Sequence, residues 1–136
     1  MKKLNPYLNF PGTTREALNF YKDCLKGEIV SIQTYGEAYM EVEDKYKNNV
    51  IHAEFKTDGV EFMASDGMPG FAATPGNMIT LSINLDDEQE QKDIFNALAA
   101  GGKVTMPLDK TFWGAIFGQL TDRFGIQWML NCEGKQ

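Results

Sequence analysis

Apolar and polar residues alternate through residues 4–10. Leu4, Pro6, Leu8 and Phe10 share one side, and Asn5, Tyr7 and Asn9 the other. A period of two marks a strand with one buried face, and Pro6 assigns it to a sheet edge or a bulge. The period then lengthens. Ala17, Leu18, Tyr21, Cys24 and Leu25 recur at the spacing of an amphipathic helix. Thr13 with Glu16 predicts a capping box at its start, and Gly27 a stop. A second strand is expected over 28–35, then a polar excursion over 36–49 with a short helical turn. In 50–57, Ile51, Ala53 and Phe55 face one way, and His52, Glu54 and Lys56 the other. Asp58-Gly59 predicts a tight hairpin turn into a strand over 60–65.

The same order recurs in the second half. A strand over 78–85 leads to a helix capped by Asp86 or Asp87, whose acidic first turn suits the helix dipole. Ile94, Phe95 and Leu98 form its apolar stripe, and Gly101-Gly102 ends it. Strands follow over 103–108, 113–120 and 126–131, with a polar tail over 133–136. Phe20, Cys24, Gly27 and Val30 return at constant spacing as Ile94, Leu98, Gly101 and Val104. The hairpin echoes too. Thr57-Asp58, Gly59-Val60 and Glu61-Phe62-Met63 match Thr121-Asp122, Gly125-Ile126 and Gln127-Trp128-Met129.

A doubled strand–helix–three-strand unit predicts an α+β fold. Two βαβββ modules form a curved, mostly antiparallel, eight-stranded half-barrel pair with a concave pocket. We expect one domain over 1–136: module one 1–66, a Gly/Pro-rich connection 67–77 with Met68 and Phe71 at its tip, and module two 78–136.

The chain's 136 residues, 43% apolar, suffice for one core and not for two independent ones. Two cysteines do not make a disulfide scaffold, and Cys24 sits on the helix's apolar face. MKKLNPYLNF carries no long apolar run like that of a secretory signal, and no run is long enough to cross a bilayer, so a cytoplasmic location is expected. The net charge of −6 argues against nucleic acid as a partner. It also favours, weakly, a ligand with a cationic group.

The pocket is expected on the sheet faces turned away from the helices. These carry Asn5, Tyr7 and Asn9; His52 and Glu54; Glu61, Met63 and Ser65; Met78, Thr80 and Ser82; and Gln127, Met129 and Asn131. Trp113 joins them as a stacking candidate, although Trp113, Phe117 and Trp128 also suit core or interface positions. Tyrosine and methionine among amides and carboxylates suit a pocket better than a bare surface. His52 and Glu54, two apart on one strand face, are the candidate acid/base pair. A half-exposed polar pair without chemistry is the plainer alternative.

The runs YLNFPGTTREALNFYKDCLKGE, HAEFKTDGVEFMASD and TFWGAIFGQLTDRFGIQWML resemble the PhnB-like branch of the glyoxalase/bleomycin-resistance/dioxygenase (vicinal oxygen chelate) superfamily. Phe112-Trp113-Gly114 with Thr121-Asp122-Arg123-Phe124-Gly125 is its most specific part. The resemblance implies a homodimer that binds small molecules. Metal enzymes of the superfamily take His and Glu ligands from the first and last strands of each module. The matching positions here are Asn5, Met63 or its neighbour Glu61, Met78 and Met129. A neutral amide and thioethers suit a divalent metal poorly, and a site rebuilt from His52, Glu54 and Glu61 is the alternative. No metal and no cofactor are therefore expected. Branch members often carry a demethylubiquinone methyltransferase label, but no glycine-rich strand-to-helix turn for a nucleotide-like cofactor is present. The expected function is metal-independent binding of a small molecule. An enzyme on a small organic substrate and a regulatory dimer with a vestigial pocket are the alternatives.

Overall fold

The computed structural model describes residues 1–38 and 41–133. The expected excursion over 36–49 falls partly, and the polar tail mostly, outside them. The chain divides into two compact units, residues 1–74 and 75–136. Each is a four-stranded mixed sheet with one helix.

In the first unit β1 (Tyr7–Asn9) is followed by α1 (Thr14–Leu25), β2 (Glu28–Thr34), a 3-10 turn (Asp44–Tyr46), β3 (Val50–Thr57) and β4 (Val60–Ser65). The strand order is β1-β4-β3-β2, with β1 parallel to β4 and the other pairs antiparallel. Ala17, Leu18, Tyr21, Cys24 and Leu25 of α1 are buried, and so are Ala53 and Phe55 of β3 and Phe62 and Ala64 of β4. The Phe55 and Phe62 rings stack at 4.8 Å, and Tyr21 meets Phe62 edge-on at 5.7 Å. That burial is what holds the helix on one face and leaves the other face open.

The second unit repeats the plan with β5 (Leu81–Leu85), α2 (Glu88–Ala99), β6 (Lys103–Lys110), β7 (Ile116–Thr121) and β8 (Gln127–Cys132). The order is β5-β8-β7-β6, with β5 parallel to β8. Ile94, Phe95 and Leu98 are buried as expected, with Trp128 and Leu130 from the sheet. Gln91 is also buried, and its amide donates to the carbonyls of Ile116 and Leu130.

Several expectations are corrected. The first strand is shorter than 4–10: Leu4 is exposed, and Pro6, lacking an N–H, contributes only its carbonyl, which accepts from Met63 N–H at 3.0 Å. The fifth strand starts at Leu81, leaving Met78 95% exposed beyond its end. The seventh starts at Ile116, because bonds between Thr111 and Ala115 close a turn that takes up Trp113. No capping box forms at Thr13, which makes no side-chain cap bond. The buried Asp66 takes its place, accepting Thr14 N–H at 2.9 Å on Oδ1 and Val50 N–H at 2.7 Å on Oδ2. Gly27 stops α1 by space rather than by φ. The left-handed residue is Lys26, at φ 55°, while a Cβ on Gly27 would overlap the Phe55 ring.

Candidate functional site

The open face of the first sheet is ordered by the Asp58-Gly59 hairpin. Gly59 takes φ 80°, and the two-residue turn sets Lys56 opposite Glu61 and Glu54 opposite Met63. Parallel pairing then sets Tyr7 beside Met63, and antiparallel pairing sets Ser31 beside Glu54 and Gln33 beside His52. Because side chains alternate along a strand, these groups share one face, opposite buried Ala53, Phe55 and Ala64.

The face carries a chain of polar contacts. The Tyr7 hydroxyl lies 3.0 Å from His52 Nδ1, with the rings 5.7 Å apart. His52 Nε2 lies 3.6 Å from Glu54 Oε1. All three side chains are partly exposed. Beside them a recess of about 220 Å³ is lined by Asn5, Val30, Glu54, Lys56, Glu61 and Met63, together with Phe55 and Phe62. Glu61 is paired with Lys3 at 3.1 Å. Six expected residues are thus brought onto one face: Asn5, Tyr7, His52, Glu54, Glu61 and Met63. Ser65 is not among them. It is buried, and its hydroxyl accepts Gly67 N–H at 2.9 Å.

Lys3, Val30 and Lys56 are not among the pocket residues expected from the sequence, although Lys56 shares the expected strand face with His52 and Glu54. Lys56 was readable there, since a two-residue turn at 58–59 fixes the 56–61 pairing. Val30 reaches the recess through a bulge between Ile29 and Ser31, which nothing in its immediate sequence announces. The buried Tyr35 hydroxyl donates to the Gly67 carbonyl. Burial pushes its pKa up, and Asp66 and then Tyr7 add to the rise.

In the second unit Ser82 pairs with Met129 across β5 and β8, and Gln119 of β7 pairs with Met129 from the other side. Gln127 is committed to the fold, donating to the Ile79 carbonyl at 2.8 Å. Trp113 is not brought to these residues. It sits in the turn before β7, whereas Gln127 pairs with Thr121 at the strand's far end. It is 60% exposed and meets Phe112 edge-on at 4.8 Å. Trp128 is core, its indole N–H donating to buried Asp122. A larger recess, about 330 Å³, lies between α2 and β6. It is lined by Glu88, Lys92, Asp109 and Lys110 among others, so its charges are mixed, and none of the expected site residues reaches it. Of these two recesses, the smaller lies beside the Tyr7–His52–Glu54 chain.

The donor set does not fit a divalent metal centre. Asn5 is a neutral amide, Glu61 is held by Lys3, and Met78 lies beyond the strand. Among the described residues no group of three or more His, Cys, Asp or Glu side chains is placed to hold a metal.

Comparison with known proteins agrees with the fold. The family described as 3-demethylubiquinone-9 3-methyltransferase matches residues 2–131. Protein YjdN of Escherichia coli is 33% identical over 98% of this chain and 97% of its own. The crystal structure of PA1353 from Pseudomonas aeruginosa has a TM-score of 0.88 at 38% identity, covering 99% of this chain and 100% of that one. A PhnB protein from Bacillus cereus follows at 0.77 and 34%, covering 96% and 99%. A glyoxalase-related enzyme from Fulvimarina pelagi shares the fold at 20% identity and a TM-score of 0.62, over 98% and 89%.

Proposed function

Given that this chain belongs to the 3-demethylubiquinone-9 3-methyltransferase family, the PhnB-like branch of the vicinal oxygen chelate superfamily, we propose that it is a metal-independent small-molecule-binding protein. The observation that carries this reading is the open face of the first sheet. There the Tyr7 ring and the Met63 thioether supply apolar contact, while His52, Glu54 and Asn5 supply polar anchors. A few convergent polar groups on an apolar floor are what orients a small ligand. Ser82 and Met129 are the corresponding candidates in the second unit. The superfamily's metal polarises substrate oxygens as a Lewis acid, and three of the matching positions here hold an amide and thioethers rather than hard anionic donors, while Glu61, the alternative to Met63 at the other, is paired with Lys3. Methyl transfer, named in the family's description, gains no support from this face. The chain is further proposed to be a cytoplasmic homodimer and a single domain of two modules.

The test is a thermal-shift screen of small organic compounds on wild type, Tyr7→Ala and Glu54→Gln. The expected result is a ligand whose stabilisation of wild type is lost in both variants. A ligand that stabilises all three equally removes this face from the site.

A second reading, an enzyme acting on a small organic substrate, draws on the hydrogen bond from Tyr7 to His52 and the carboxylate beyond it. With Nδ1–H donating to the Tyr7 oxygen, the other tautomer of that contact, Nε2 is left bare and His52 could take a proton there and return it. Turnover of a ligand found in the screen, abolished by His52→Gln, would establish it.

A further inference from the structure

We propose that His52 is a built-in counter-ion of Glu54, so that the open face takes a cationic ligand group, an ammonium or a guanidinium, more tightly once His52 has given up its charge. This rests on the reading of that face as the binding surface and adds its ligand class and its regulation.

The geometry supplies two states. With the imidazole neutral and its proton on Nε2, the Tyr7 hydroxyl donates to bare Nδ1 across 3.0 Å. With both ring nitrogens protonated, Nδ1–H donates to the phenolic oxygen instead. Tyr7 therefore partners the ring in either state and fixes its orientation. Nε2 faces Glu54 Oε1 at 3.6 Å in this arrangement. That separation is too long for a good hydrogen bond and short enough for an ion pair once the ring is charged. Among the described residues, His52 is the one ion-pair partner of Glu54. A single proton thus decides whether the carboxylate is neutralised from within or left to a ligand.

The other groups on the face do not replace that control. β1 contributes Tyr7, β2 contributes the neutral Ser31 and Gln33, and β4 contributes Met63 and Glu61. Glu61 already has Lys3. Lys56, two residues along β3, lies opposite Glu61. Glu54 is flanked across the sheet by Ser31 on one side and by Met63 on the other, with the Tyr7 ring beyond Met63. A carboxylate with a thioether and an aromatic face beside it suits a cation on an apolar body, because the ring's face also attracts positive charge.

The test uses benzyltrimethylammonium as the cation and benzyl alcohol as a neutral compound of similar body. His52 is the chain's single histidine, so its imidazole resonances are unambiguous in a titration followed by NMR. The cation is expected to bind wild type about two- to fivefold more tightly at pH 7.5 than at pH 5.5, the size set by one partly exposed ion pair. Its presence should move the midpoint of the imidazole titration to lower pH, because binding expels the proton. His52→Gln should bind with the same affinity at both pH values, and Glu54→Gln should lose the cation while still binding the alcohol. Binding of the cation by wild type without pH dependence overturns the proposal, and so does a pH dependence that survives in His52→Gln. Binding of benzyl alcohol at this face with no binding of the cation also overturns it, while leaving the small-molecule reading intact. If neither compound perturbs Tyr7, His52 or Met63, the proposal falls, and the small-molecule reading stands or falls by the compound screen.

Discussion

Asp66 caps helix α1 from the end of a strand far away in the chain: its Oδ1 accepts the Thr14 N–H at 2.9 Å while Oδ2 holds Val50 N–H at 2.7 Å. One buried carboxylate thereby ties together the helix start, the start of β3 and the end of β4. Asp66→Ala leaves two backbone donors without an acceptor in the interior, and should cost about 2–4 kcal/mol. Asp66→Asn keeps one acceptor and should cost less. Urea unfolding, read as a fall in midpoint at unchanged slope, measures both.

Adjacent residues at the end of α1 should respond with opposite signs. Lys26 is held at φ 55°, a conformation that costs a residue with a Cβ and costs glycine little. Lys26→Gly should stabilise by ~0.5–1 kcal/mol. Gly27→Ala drives a methyl into the Phe55 ring and should destabilise by about 1–3 kcal/mol. Thermal unfolding of the two variants side by side decides it.

Those sites also show how far the sequence could be read. The two helices, their apolar stripes and both hairpin turns follow from periodicity and from Gly and Asp placement, which are local signals. Thr13 and Glu16 had the letters of a capping box, but Asp66 reaches the same helix start from a site distant in sequence, and local letters carry no record of that. Trp113 and Met78 were assigned to strands because each borders an apolar run. The turn closed by Thr111 excludes the first, and the second lies before Leu81, the first paired residue of β5. On the candidate site, the cross-strand rows around Glu54 were readable from the two-residue turn. The Tyr7–His52 contact depends on the parallel β1–β4 pairing, which no turn fixes.

Both thiols should be inert in the folded state. Cys24 and Cys132 are buried. Burial pushes the Cys132 thiol up, and Glu88, Asp87 and Asp86 push it further. A folded pKa above the unfolded one stabilises the protein below the unfolded value, ordinarily about 8.5. That contribution disappears as pH rises through the folded value. Native protein at pH 8 is expected to react with Ellman's reagent far more slowly than protein in 8 M urea (~8 M, enough to unfold typical small domains). Stability should fall on the alkaline side. Rapid labelling of Cys132 in the folded protein contradicts this.

Metal should be dispensable. Elemental analysis after purification without chelator or histidine tag is expected to find far less than one equivalent of zinc, nickel, iron or manganese per chain, and EDTA should leave the melting temperature unchanged. Near-stoichiometric metal lost on Glu61→Gln would restore a metalloenzyme.

The proposed homodimer and single domain predict a dimer mass by sedimentation at tens of micromolar (about 10–50 µM, where most specific interfaces are occupied) and one cooperative unfolding transition. A monomer, or two separate transitions, counts against the respective proposal.

Strand β6 is exposed along nearly its whole length, and it lies at the edge of its sheet. Lys103 and Lys110 bound it, Pro107 removes one backbone donor within it, and its pairing to β7 is broken at two places. A strand so interrupted is a poor template for a copy of itself in register. The interruptions thus blunt a long apolar-bearing edge, with Val104 and Met106, against sheet extension, and favour contacts through side chains over backbone pairing where another copy meets it.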